Sequence, residues 1–144
     1  MPKRKTTQSV SDVMTGPPFV MDAGSTAADA AAAMRERDIG DVIVCSDGKM
    51  CGIVTDRDLV VRVVAEGKKP GSVSLREICS REITSLEPGA SVDEAVELMR
   101  ERALRRLPVV QGGTPVGILS LGDLAIARDP GSALADISAA QPNG

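Results

Sequence analysis

Ala30-Ala31-Ala32-Ala33-Met34-Arg35-Glu36-Arg37 returns as Ala95-Val96-Glu97-Leu98-Met99-Arg100-Glu101-Arg102. The offset from Met34 to Met99 is 65 positions, and the other matches keep it. It carries Asp47-Gly48 onto Gly112-Gly113, Gly52-Ile53-Val54-Thr55 onto Gly117-Ile118-Leu119-Ser120, and Asp58-Leu59 onto Asp123-Leu124, with no gap. A period of this length exceeds that of solenoid repeats and falls short of a large independent domain. Two copies of one unit predict two similar half-structures related by a pseudo-twofold axis.

Each copy reads strand, helix, strand, strand, helix, an α+β order. In the first copy, Phe19-Val20-Met21 makes a short strand. Ser25 or Thr26 then caps a helix to about Asp38, with Asp29 as the capping-box partner. Val42-Ile43-Val44-Cys45 is a buried strand, Asp47-Gly48 a hairpin turn, and residues 50–54 the return strand. Thr55 opens a second helix to about Glu66, with a Leu59, Val60, Val63, Val64 stripe. The second copy repeats this order, with a strand at Ile83-Thr84-Ser85, a helix from Ser91, a hairpin around Gly112-Gly113 and a helix from Ser120 to Arg128. Asp129-Pro130-Gly131 stops that last helix. Ahead of the first strand, Ser11-Asp12-Val13-Met14 suggests a helical turn ended by Gly16-Pro17-Pro18. The expected organisation is a disordered start at 1–9, a first unit at 10–66, a linker at 67–73, a second unit at 74–128 and a fraying tail at 129–144. A lone unit has too few strands to cover its sheet, so the copies pair.

Composition narrows the function. The chain has 144 residues, 42% hydrophobic and 26% charged, with Phe19 as its sole aromatic residue. The core must be aliphatic, and a planar ligand would have only Phe19 to stack on. The net charge of −3 argues against a nucleic-acid binder, which needs a basic surface. No apolar run approaches membrane-spanning length. The basic opening Met1-Pro2-Lys3-Arg4-Lys5 lacks the apolar stretch of a secretory signal, so the expected compartment is the cytoplasm. Cys45, Cys51 and Cys79 are odd in number and there is no histidine, which disfavours a four-ligand zinc site. With Asp47-Gly48 as a two-residue turn, Cys45 faces Met50 and Val44 faces Cys51. Alternation then sends Cys45 and Cys51 to opposite faces, and buried reduced thiols are expected.

The helices ending in Met-Arg-Glu-Arg, the Leu107-Pro108-Val109-Val110 strand and the segment Gly52-Ile53-Val54-Thr55-Asp56-Arg57-Asp58-Leu59 together resemble the cystathionine-β-synthase (CBS) domain. The resemblance covers about residues 9–128. Two tandem copies form a Bateman module, here similar to stand-alone pairs of the actinobacterial hypoxic-response type. It implies a regulatory module that binds an adenosyl compound (AMP, ADP, ATP or S-adenosylmethionine) in clefts between the units. It also implies dimerisation into flat discs and an output to a separate effector protein.

The candidate site is Thr55-x-x-Asp58 with its echo Ser120-x-x-Asp123, each where a strand ends and a helix begins. Unpaired amides at a helix start attract phosphate. The resemblance gives Thr55 and Ser120 the phosphate, and gives Asp58 and Asp123 the ribose hydroxyls. The same spacing is also a capping box that needs no ligand, as at Thr26-x-x-Asp29 and Ser91-x-x-Glu94. Capping and binding are compatible. The base would lie against Val20, Met21, Asp41 and Val42 in copy one, and against Ser85, Leu86, Arg106 and Leu107 in copy two, positions equally suited to core packing. Arg57, Arg105 and Arg106 are candidate phosphate partners, or solvated surface. Gly122 weakens the second helix start, so the first copy, with its intact Thr-Asp-Arg-Asp segment, is expected to be the stronger site.

Catalysis is disfavoured. No histidine can act as a general base, no cysteine has a partner base, and no GxxxxGK[ST] phosphate loop exists. The rival to a nucleotide sensor is a CBS scaffold that binds no nucleotide and acts through its surface. A metal-dependent hydrolase using acidic clusters is the most remote reading.

Overall fold

The computed structural model describes residues 8–128. The expected fraying at 129–144, its Asp129-Pro130-Gly131 stop and most of the expected disordered start lie outside them. The elements run α1 (Val10–Val13), β1 (Val20–Asp22), α2 (Ala27–Arg37), β2 (Asp41–Ser46), β3 (Lys49–Thr55), α3 (Asp56–Leu59), a π-helical turn (Val60–Val64), a 3-10 turn (Pro70–Ser72), α4 (Leu75–Ile78), α5 (Val92–Arg102), β4 (Arg106–Gln111), β5 (Thr114–Ser120) and α6 (Leu121–Arg128).

Local chemistry sets most of these bounds. Thr26 caps α2, its hydroxyl accepting from the Asp29 amide at 3.1 Å while its own amide donates to Asp29 Oδ2 at 3.0 Å. Ser91 accepts from the Glu94 amide at 3.0 Å and caps α5. Both helices end on a left-handed residue, Asp38 (φ 55°) and Ala103 (φ 52°). The hairpin turns Asp47-Gly48 and Gly112-Gly113 have positive φ at both positions, as a type I′ turn requires.

The described residues form two compact units, 19–83 and 8–18 with 84–128. The sequence copies and these units are offset, because each copy's leading segment completes the other copy. Thr15 bridges Ile118, and its counterpart Ser80 bridges Ile53. Val10 donates its amide to Ala90 O at 2.7 Å, and Leu75, the equivalent residue, donates to Ser25 O at 2.8 Å. The bridges Ser9 to Ser91 and Ser74 to Thr26 complete the pattern.

In the 19–83 unit, β1 pairs parallel to β2 and β2 pairs antiparallel to β3. Its core gathers Ala27, Ala30, Met34, Val42, Val44, Val54, Val63, Leu75 and Ile78. In the other unit, β4 and β5 pair antiparallel over a core of Val10, Val92, Ala95, Met99, Leu107, Val109, Leu119 and Leu124. The cores are aliphatic, as composition requires. Two glycines admit the crossing segments. A Cβ on Gly52 would lie 2.5 Å from Cys79 Sγ and 2.8 Å from Ser80 O, and one on Gly117 would strike the thioether of Met14.

Three expectations are corrected. Ile83-Thr84-Ser85 is not a strand, and copy two keeps a single parallel bridge, Leu86 to Val109. Two prolines are the reason. In copy one the Ala23 amide donates to Cys45 O at 2.8 Å, but its counterpart is Pro88, which has no N–H. Pro108 replaces Ile43 and removes a donor on the other side of the bridge. Second, a bulge between Val44 and Cys45 pairs Val44 with Gly52, so Cys51 is an additional residue rather than Val44's partner. Third, the helix after Thr55 is α-helical only to Leu59. It widens into a π turn, with Ala65 donating to Val60 O at 2.8 Å and Lys68 to Val63 O at 3.0 Å. Four β-branched valines in five residues crowd a regular α-helix there. Of the expected stripe Val63 is buried and Leu59 packs on the core, whereas Val60 and Val64 are 59% and 66% exposed; Val61, outside the stripe, is exposed as well.

The glycines give a graded prediction. Gly52→Ala must displace the Ser80 backbone and should cost about 1–3 kcal/mol in urea unfolding. Gly117→Ala meets only a flexible Met14 side chain and should cost less. Equal costs would show that the crossing is not tight at Gly52.

Glu77 adds a pH dependence. The Ser74 amide donates to its carboxylate at 2.7 Å, and this bond chiefly lowers the Glu77 pKa. The cap on α4 is therefore present above the ordinary carboxylate pKa and is lost as pH falls through the lowered one. Protection factors of the α4 amides, exchange rates normalised to the intrinsic rate at each pH, should fall on acidification in that range, and Glu77→Gln should remove the dependence.

Candidate functional site

Copy one closes on itself. The Thr55 amide donates to Asp58 Oδ2 at 2.9 Å and the Asp58 amide to Thr55 Oγ1 at 3.1 Å, a complete capping box. The Asp56 amide donates to Gly40 O at 2.9 Å, and the Arg57 amide to Asp56 Oδ1 at 2.8 Å. The Thr55, Asp56, Arg57 and Asp58 amides at this helix start are thus all occupied, the capping alternative that the spacing also allowed. Asp58 Oδ1 lies 3.6 Å from Arg62 Nε, one turn further along. That pair is half-exposed on the arginine side, and its contribution to stability is small.

Copy two has the same cap without the same closure. The Ser120 amide donates to Asp123 Oδ2 at 2.9 Å, and the Asp123 amide to Ser120 Oγ at 3.0 Å. The Leu121 amide donates to Arg105 O at 2.8 Å. The equivalent positions in copy two differ: Asp56 is replaced by Leu121, Arg57 by Gly122 and Arg62 by Ala127. No carboxylate from residue 121 covers the Gly122 amide, and no arginine stands at 127 to pair with Asp123. A groove of about 420 Å³ is lined by Gln8, Asp12, Val13, Asp123, Ile126 and Ala127.

The family profile of the CBS domain matches residues 10–65 and 75–129. The chain belongs to the CBS-domain family. It is 37% identical over 134 residues to the CBS domain-containing protein YhcV of Bacillus subtilis, covering 90% of this chain and 95% of that one. It is 33% identical over 115 residues to Hypoxic response protein 1 of Mycobacterium tuberculosis, covering 79% and 80%. A crystal structure of Hypoxic Response Protein I with two coordinated zinc ions superposes with a TM-score of 0.76 at 31% identity, over 83% of this chain and 98% of that one. A hexameric CBS-CP12 protein from bloom-forming cyanobacteria gives a TM-score of 0.69 at 27% identity, over 90% and 75%. In the present chain, among the described residues, no group of three or more His, Cys, Asp or Glu is placed to hold a metal ion. No helix among them is long and apolar enough to cross a membrane.

The remaining candidate residues divide within each CBS unit. In the first, Asp41 is the register partner of Thr55 and Val42 that of Val54, while Val20 and Met21 pair with Ile43 and Val44. Val42 is fully buried in the core and Met21 packs on it, so their side chains serve packing; Val20 is exposed. In the second, Arg106 faces Ser120 across the hairpin and Leu107 faces Leu119. Leu107 is fully buried and Leu86 packs on the core, whereas Ser85, Arg105 and Arg106 are exposed. Phe19, the one ring able to stack a ligand, has the Arg37 guanidinium 3.9 Å from its centroid. Gln8, Asp12 and Val13 escaped sequence reading, because the repeat does not show that the first copy's leading helix lies beside Asp123. Arg62 was legible as an i, i+4 partner of Asp58.

The caps themselves are testable. Thr55→Ala should lower stability by about 0.5–2 kcal/mol in urea unfolding, and Thr55→Gly by only a few tenths. Equal losses would mean that the Thr55 side chain does more for the fold than cap α3.

Proposed function

We propose that this chain, like CBS-pair proteins in general a regulatory one, is a non-catalytic cytoplasmic module that binds an adenosyl compound beside Ser120 and Asp123 and passes the signal to a separate effector protein. The groove at Asp123, open where copy one is closed, is the observation that carries this reading. Its volume lies within the range of small-molecule sites. Asp123 Oδ1 takes no part in the cap and is suited to accept from ribose hydroxyls. Val13, Ile126 and Ala127 offer apolar surface to a base. The hydroxyl proton of Ser120, the Gly122 amide and the Arg106 side chain opposite would serve a phosphate. Asp12 and Asp123 disfavour dense negative charge, so AMP or S-adenosylmethionine suits the groove better than ATP.

In copy one, Asp56 would have to release the Arg57 amide, and Arg62 would compete for Asp58. The weight therefore moves from Thr55 and Asp58 to Ser120 and Asp123. Calorimetry and thermal melts with AMP, ADP, ATP and S-adenosylmethionine test this. Ligand at one hundred times its Kd should stabilise the protein by about 2.7 kcal/mol. Asp123→Ala should abolish the response and Asp58→Ala should leave most of it. A wild-type melt unchanged by all four at millimolar levels would leave the scaffold reading in possession.

One observation favours a surface function alongside. Val60, Val61 and Val64 form an exposed apolar ridge, and exposed patches of this kind mark interfaces. Some structural neighbours are oligomeric, the hexameric CBS-CP12 protein among them. We infer a homodimer, which light scattering at micromolar concentration should detect; a monomer there would remove it.

A further inference from the structure

Two of the three thiols meet for reasons that lie in the fold. The bulge in β3 makes Cys51 the additional residue beside Gly52. Strict alternation would turn Cys51 away from the face that Gly52 presents, and a bulge re-aims the side chain. Cys79 lies directly on Gly52, since a Cβ there would be 2.5 Å from its Sγ and 2.7 Å from its Cβ. The segment carrying Cys79 is fixed by two hydrogen bonds with Ile53, of 3.1 and 2.9 Å. Cys51 packs against the core cluster that contains Cys79, near enough for each thiol to feel the other, and the Cys79 thiol donates to Arg76 O at 3.7 Å. Cys45 lies outside that cluster, across the hairpin. Cys51 is partly open to solvent and Cys79 is buried, and all three are free thiols. None of them lines the groove at Asp123.

We propose that Cys51 and Cys79 are an oxidisable dithiol, which hydrogen peroxide converts into an intramolecular disulfide that ties residues 75–80 to β3. The Cys51 thiolate attacks one peroxide oxygen. The O–O bond breaks and hydroxide leaves, taking up the proton that Cys51 lost, so that water and a sulfenic acid result. The Cys79 sulfur then attacks the Cys51 sulfur. The S–O bond breaks, the S–S bond forms, and a second water leaves with the Cys79 proton. Two thiols supply two electrons and one peroxide becomes two waters. The partly open Cys51 reacts first and the buried Cys79 resolves it.

Burial raises the Cys51 pKa, and the neighbouring Cys79 raises it further; Arg76 and Arg81 pull it down by less. Cys45 feels Cys51 and Asp22 but is raised mainly by its own burial. The thiolate is therefore scarce at neutral pH, and oxidation should quicken as pH rises.

The test uses the full chain. It is treated with hydrogen peroxide at neutral and at alkaline pH, alkylated with iodoacetamide, and mapped by peptide mass spectrometry. The expected product is a Cys51–Cys79 linked peptide with Cys45 alkylated, formed faster at alkaline pH and reversed by dithiothreitol. Cys45→Ser should keep the link, and Cys51→Ser should abolish it. Alkylation of both Cys51 and Cys79 after oxidation, a Cys45–Cys51 link or a link between two chains would each overturn the proposal. The wild-type map decides the matter even where a variant fails to fold.

Discussion

The leading segment of each sequence copy lies across a glycine of the other copy, and the arrangement of both units follows from that crossing. Cys79 and Ser80 lie on Gly52, and Met14 and Thr15 lie by Gly117 and Ile118. A side chain at Gly52 would push the Ser80 backbone off the strand, and one at Gly117 would displace the Met14 side chain. With the segment in place, α1 and α4 can bury Val10, Leu75 and Ile78, which are among the largest fully buried side chains. Each strand set therefore gains an apolar cover that its own copy does not supply, which answers the shortage of sheet cover in a lone unit. The same crossing carries Gln8, Asp12 and Val13 to Asp123, and carries Cys79 to Cys51.

Duplication has left two helix starts of one design and different content. Both keep the reciprocal cap, because the cap is structural and each helix needs it. Around the cap, copy one has an aspartate on its second amide and an arginine on its second carboxylate. Copy two has leucine, glycine and alanine at those three positions, and a groove. A charged cluster that satisfies itself is a poor receiver for a ligand, since binding must first break what is already made. The richer motif in the sequence is thus the more closed site in the structure.

Legibility followed the range of the interaction. The caps at Thr26 and Ser91 and the positive-φ turns at Asp47-Gly48 and Gly112-Gly113 depend on neighbours a few residues away, and the aliphatic character of the cores follows from composition, so the sequence carries them. The crossing was not legible, because both copies offer a leading segment the same partners and the repeat does not say which is taken. The lost strand at Ile83-Thr84-Ser85 was written in Pro88 and Pro108, but reading it requires knowing that those two lie across from one another. The π turn after Leu59 depends on crowded valines that a helical stripe treats as ordinary. The groove joins residues more than a hundred positions apart, so only Asp123 among its lining was visible from motif reasoning.

The crossing is tested most directly by amide hydrogen exchange on two full-length variants that put a charge at equivalent buried positions, Val10→Asp and Leu75→Asp. Both wild-type residues are fully buried, Val10 in the core with β4 and β5, Leu75 in the core with β2 and β3. The account predicts that Val10→Asp strips protection from residues 106–120 and spares 41–55, and that Leu75→Asp does the reverse. If Val10→Asp instead exposed 41–55 while 106–120 stayed protected, each copy would be folding with its own leading segment and the account would be wrong.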